Sequence, residues 1–140
     1  MKKFIAISLA LITIVILFVI FGGDKDEAAM LTWLHSINKD NAEVYFWEMR
    51  GGAYPEKQLS EDEVQTLSSI LAEIPKTQTT WNEALAGGTP TYGFRIVTDG
   101  EIRHINQADA RAGDCETNHN GKQWWILSRD LKDFMCSFLE

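Results

Sequence analysis

In YGFRIVTDGEIRHINQ, Tyr92 to Gln107, two runs with β-branched and aromatic residues flank Asp99-Gly100. An Asp-Gly pair between such runs signals a two-residue hairpin, because both turn positions need a positive φ. With that pair as the turn, Val97 opposes Ile102, Phe94 opposes Ile105 and Arg95 opposes His104. Strands joined by so tight a turn run antiparallel. The hairpin therefore points to an antiparallel sheet, and the question becomes what covers it.

Two further segments read as strands. AEVYFWEM, Ala42 to Met49, is dense in aromatic and β-branched residues, and KQWWILS, Lys122 to Ser128, is similar. Side chains alternate along a strand, so Trp124 and Ile126 point one way while Trp125 and Leu127 point the other. One tryptophan is expected in the core. The other, with Tyr45 or Trp47 of the first strand, is expected to form a partly exposed aromatic patch.

Helical periodicity separates these strands. DEAAMLTWLHSI sets Met30, Trp33, Leu34 and Ile37 on one stripe, with His35 beside it and Asn38 at its end. LSEDEVQTLSSILAEIP carries a capping box, Ser60 with Glu63, and a hydrophobic staple, Leu59 with Val64. Its inward stripe is Val64, Leu67, Ile70, Leu71 and Ile74, and Pro75 stops it. RDLKDFMCSFLE closes the chain with Ser128 as cap and Leu131, Phe134, Met135 and Phe138 inward. Between the second helix and the hairpin, KTQTTWNEALAGGTPT reads as a loop that Trp81 anchors. The class implied is α+β, a small antiparallel sheet packed with about three helices after an N-terminal transmembrane helix.

That first helix is the run Phe4 to Phe21, apolar except for Ser8 and Thr13. As a helix it rises ~27 Å, close to the ~30 Å hydrocarbon thickness of a bilayer. Bulky Val19, Ile20 and Phe21 stand where a signal peptidase needs small residues, so residues 1–23 read as an uncleaved anchor rather than a cleaved signal. Lys2 and Lys3 precede the span and Asp24 to Glu27 follow it, which keeps the N-terminus in the cytoplasm. Residues 24–140 then form an extracytoplasmic domain, in the periplasm or at the cell surface. The arrangement resembles that of bacterial envelope proteins with one N-terminal span in the cytoplasmic membrane and a small acidic outer domain.

All 20 acidic residues and 11 of the 13 basic ones follow Gly23, leaving that part of the chain at −9. Such a charge argues against nucleic acid as a partner. The two cysteines, Cys115 and Cys136, both lie on the outward side. In an oxidising compartment an even pair is most simply a disulfide, here closing about twenty residues for ~3 kcal/mol. GDCETNHNGKQWW, Gly113 to Trp125, then reads as a stapled hairpin turning at Asn120-Gly121.

Catalytic signatures do not stand out. The chain has no nucleophile elbow, phosphate loop, dinucleotide fingerprint or paired zinc ligands, and no cofactor is expected. A metal site would have to draw on His104, Asp109, Asp114, Glu116 and His119. Two functions from different classes follow. The first is a non-catalytic envelope module binding a protein or peptide partner, with Tyr45, Trp47, Trp81, Trp124 and Trp125 as candidate contacts. The second is a small metal-dependent hydrolase built on His104, Asp114 and His119.

Overall fold

A computed structural model describes residues 25–83, 87–108 and 113–140. The expected membrane anchor lies outside the described residues. Among those described, no helix is long and apolar enough to cross a membrane.

In chain order the elements are α1 (Lys25–Ser36), β1 (Ala42–Glu48), β2 (Glu56–Gln58) and α2 (Glu61–Ala72). After a 3-10 turn at Lys76–Gln78 come β3 (Thr79–Trp81), β4 (Tyr92–Thr98), β5 (Glu101–Gln107), β6 (Cys115–His119), β7 (Lys122–Ile126) and α3 (Arg129–Cys136). The seven strands make one antiparallel sheet in the order β2-β1-β4-β5-β6-β7-β3. With the three described helices this is an α+β fold. Asp99 and Gly100 have φ of 50° and 77°, Asn120 and Gly121 of 51° and 73°. Both hairpins therefore turn through left-handed pairs, which match the right-handed twist of the strands. The β4–β5 register pairs Val97 with Ile102, Phe94 with Ile105 and Arg95 with His104, as the Asp-Gly turn requires.

All three helices cover the same face. On that face Val44, Phe46, Phe94, Ile96, Ile105, Trp124 and Ile126 are buried against Met30, Leu34, Leu67, Leu71, Leu131 and Met135. The capping box of α2 forms in full. Ser60 Oγ accepts from Glu63 N–H at 3.3 Å, and the Glu63 carboxylate accepts from Ser60 N–H at 2.7 Å. On α3, Leu131 N–H donates to Ser128 Oγ at 3.2 Å. Phe138, just past that helix, stacks on Phe46 with centroids 5.3 Å apart and meets Phe94 edge-on.

Three strands depart from the expected order. Glu56–Gln58 lies in a segment that reads as a turn, Thr79–Trp81 in one that reads as a loop, and Cys115–His119 has no apolar run. Each is held by pairing with a stronger neighbour, β1 or β7.

The expected disulfide is not present, and both cysteines are free thiols. Cys115 points from β6 into the core, fully buried, while Cys136 turns its Sγ to within 3.4 Å of the Tyr92 hydroxyl. Tyr92 lies near both thiols. Burial first, and then the nearby Asp114 and Cys136, push the Cys115 thiol far above its ordinary range.

Candidate functional site

The face opposite the helices is built by the other parity of the strands. One cross-strand row runs over its full width: Glu56, Trp47, Gly93, Asn106, Glu116, Trp125 and Thr80, each opposed to the next. The adjacent row runs Gln58, Tyr45, Arg95, His104. This face is therefore aromatic and polar, where the helix face is aliphatic and aromatic.

Gly93 opens a gap in the first row. The Asn106 side-chain oxygen leans over that glycine, and beside it lies a hollow of about 370 Å³ lined by Trp47, Tyr54, Glu56, His104 and Asn106. Tyr54 meets Trp47 edge-on with centroids 6.0 Å apart, making one aromatic wall. Arg95 holds Glu56 with two hydrogen bonds, 2.7 and 2.6 Å, while its guanidinium carbon sits 4.2 Å from the centroid of Tyr45. That pair fixes the edge of the hollow. It also keeps the Glu56 carboxyl below the usual carboxylate range, chiefly through the hydrogen bond from Arg95.

Polar atoms along this row lack partners. Trp47 Nε1, Asn106 Oδ1 and Trp125 Nε1 are buried with no hydrogen bond. Trp33 Nε1, His119 Nδ1 and Trp124 Nε1 on the helix side are in the same condition, so these atoms do not set the open face apart. Glu116, 7% exposed, takes a hydrogen bond from Gln123 Nε2 at 2.6 Å. Burial pushes its carboxyl above the usual range, with the Gln123 bond opposing.

The five aromatic candidates do not act together. Tyr45, Trp47 and Trp125 share the open face and are half-buried. Trp124 is 2% exposed and belongs to the core, so it is removed from the contact surface. Trp81 lies on the edge strand with the other parity, exposed, its ring 4.8 Å from the Lys122 ammonium. Tyr54, Gly93 and Asn106 were not among the candidates. A glycine inside a strand pattern often marks a close backbone approach, and that signal was available at Gly93.

The residues of the metal-dependent alternative are not brought together. His104 stands on the open face and His119 on the helix face, with the sheet between them, and Asp114 precedes β6. Asp109 lies outside the described residues. Among the described residues, no group of three His, Cys, Asp or Glu side chains is placed to hold a metal ion.

His119 has a structural part to play. It is 6% exposed, 6.4 Å from the Trp33 ring, and its Nδ1 has no hydrogen bond. Burial first and Arg103 second hold its pKa below the ordinary imidazole value, opposed by Asp26 and Glu101. The folded state thus keeps the ring neutral, whereas the unfolded chain takes up a proton near about pH 6.5. The stability involved is complete above that pH and is lost as pH falls from there toward the lower folded value. The melting temperature should drop between about pH 7 and about pH 5, and His119→Gln should flatten that drop. Identical profiles for the two proteins would show that His119 is not the acid-sensitive group.

Compared with protein-family models, with curated proteins and with solved structures, the chain matches none. Its function is to be sought in the geometry of the open face.

Proposed function

We propose that the chain is a non-catalytic envelope module, anchored by residues 4–21 with its domain outside the cytoplasmic membrane, that binds a protein or peptide partner. The contact surface is the open face of the sheet. The observation that carries this reading is the hollow walled by Trp47 and Tyr54 and closed by Glu56, His104 and Asn106. Tryptophan and tyrosine at a pocket rim are the residue types that dominate binding energy at interfaces, and this pocket is large enough for one partner side chain.

The test is Trp47→Ala in the full-length chain, purified from its own membrane with whatever accompanies it. The variant should stay folded, because Trp47 contributes nothing to the helix-side core. Partner recovery should fall about thirtyfold, the effect of losing an interface anchor worth ~2 kcal/mol. A folded variant that retains its partner at the native level would remove the open face from consideration.

A further inference from the structure

Chain length limits how far the start of α1 can stand from the proposed anchor. The apolar run ends at Phe21 and α1 begins at Lys25, so four residue steps join them, about 14 Å at full stretch. An anchor of residues 4–21 puts Phe21 at the outer limit of the hydrocarbon, and the headgroup layer beyond is about 5–8 Å deep. The first turn of α1 is therefore held at the headgroups or within about a side-chain length above them.

Side-chain contacts show what surrounds that turn. Asp26 pairs with Lys122, whose Nζ lies 2.7 Å from the carboxylate. Glu27 pairs with Lys76 at 3.5 Å and accepts a hydrogen bond from Thr79 Oγ1 at 2.9 Å. Thr79 opens β3, and Lys122 opens β7, the strand on which β3 is paired. The start of α1 thus lies against the β3 edge of the sheet, where Lys76, Trp81 and Lys122 form the surface.

This surface has the make-up of a headgroup contact. Trp81 is 42% exposed, outside the helix-side core, with the Lys122 ammonium 4.8 Å from its ring centroid. Indole is enriched at membrane–water interfaces, where its ring meets apolar chain and its N–H meets polar headgroups. Lysine stems lie along such a boundary while their ammonium groups reach lipid phosphate, and the Lys76 side chain is 63% exposed. The charge of −9 after Gly23 favours zwitterionic over anionic lipid.

Resting on the anchor proposed above, we infer that the β3 edge, led by Trp81, docks onto the headgroup layer of the bilayer that the anchor spans. Strands are ~4.8 Å apart, so Trp47 on β1, five strands from β3, stands ~24 Å away along the sheet. Docking by this edge holds the open-face hollow clear of lipid and turns it to a partner in the aqueous phase.

The full-length chain is reconstituted in phosphatidylcholine vesicles, with and without a lipid that carries a nitroxide on its headgroup, and the vesicles are floated. The tryptophans, at Trp33, Trp47, Trp81, Trp124 and Trp125, all lie beyond the anchor, so quenching by the nitroxide reports where the domain sits. The native chain should lose about the share of emission that one of its five indoles contributes. Trp81→Phe keeps an aromatic ring at an exposed edge and should melt with the native chain, yet lose almost none. Trp47→Phe should lose as much as the native chain does. Emission that the nitroxide leaves unchanged in the floated chain would overturn the inference. So would quenching that survives Trp81→Phe or disappears in Trp47→Phe. A chain that does not float would overturn the anchor itself, a separate failure read before any fluorescence is measured.

Discussion

Replacing Trp124 with alanine should unfold the domain, whereas replacing its neighbour Trp125 should not. Trp124 is 2% exposed on the helix face of β7, opposite Thr117 of β6 and Trp81 of β3. Its loss leaves a cavity that the flanking strands cannot close, at a cost of ~3–5 kcal/mol. A small domain has ~5–15 kcal/mol in total, so most of the margin disappears. Trp125 is half-buried on the open face, with none of the described helices above it. Its truncation should cost about 1 kcal/mol, the ordinary size of a substitution outside the core. Urea unfolding of the two variants separates these values easily. If both lose several kcal/mol, the open face is covered and the site described above does not exist.

Gly93→Ala is the second large effect, and its origin is steric. A Cβ at Gly93 would stand 2.7 Å from the carbonyl oxygen of Ile105 and 2.9 Å from the Cα of Asn106, besides meeting Asn106 Oδ1. The amide side chain of Asn106 can rotate away, but the β5 backbone cannot. The β4–β5 ladder would have to part near its middle, with an expected loss of ~1–3 kcal/mol or more. Because the obstacle is backbone, adding Asn106→Ala should not restore the melting temperature of Gly93→Ala. Full recovery in the double variant would mean that the Asn106 side chain is the sole obstacle.

Residues near strong local signals declared their structure in the sequence. Asp99-Gly100 set both the turn and the cross-strand partners down to Arg95 with His104, since two left-handed residues leave one register available. Ser60 and Glu63 set the start of α2 by the same kind of local bonding. Of the strands outside the expected order, β2 and β3 lack any such signal, whereas β6 is the first arm of the hairpin expected at Asn120-Gly121. Glu56, Lys57 and Gln58 are all exposed, and their strand exists because β1 offers an unpaired edge. In β6 the inward residues are Cys115, Thr117 and His119, none of which reads as a core residue. Thr117 is tolerated there because its hydroxyl donates to the His104 carbonyl at 2.8 Å.

The site was legible only in part. Parity alone separated Trp124 from Trp125, but which of them was core depended on where the helices dock, and that is a tertiary fact. Gly93, Asn106 and Glu116 come together through pairings that span β4 to β6, and no single segment contains them. The cysteines show the opposite failure. Their even number, with an expected oxidising compartment, suggested a bond, whereas the structure holds two free thiols, one buried and one with its Sγ at the Tyr92 hydroxyl.

The claim that the open face is the binding surface is tested most directly by crosslinking in the cells that make the chain. A photoreactive phenylalanine analogue is placed in the full-length chain at Tyr54, which lines the hollow and is 59% exposed. In a second protein it is placed at Gln65, exposed on α2 on the other side of the molecule. Illumination should give a discrete adduct with a partner from position 54, diminished when Trp47→Ala is added, and none from position 65. Adducts from position 65 with none from position 54 would contradict the account and move the binding surface to the helices.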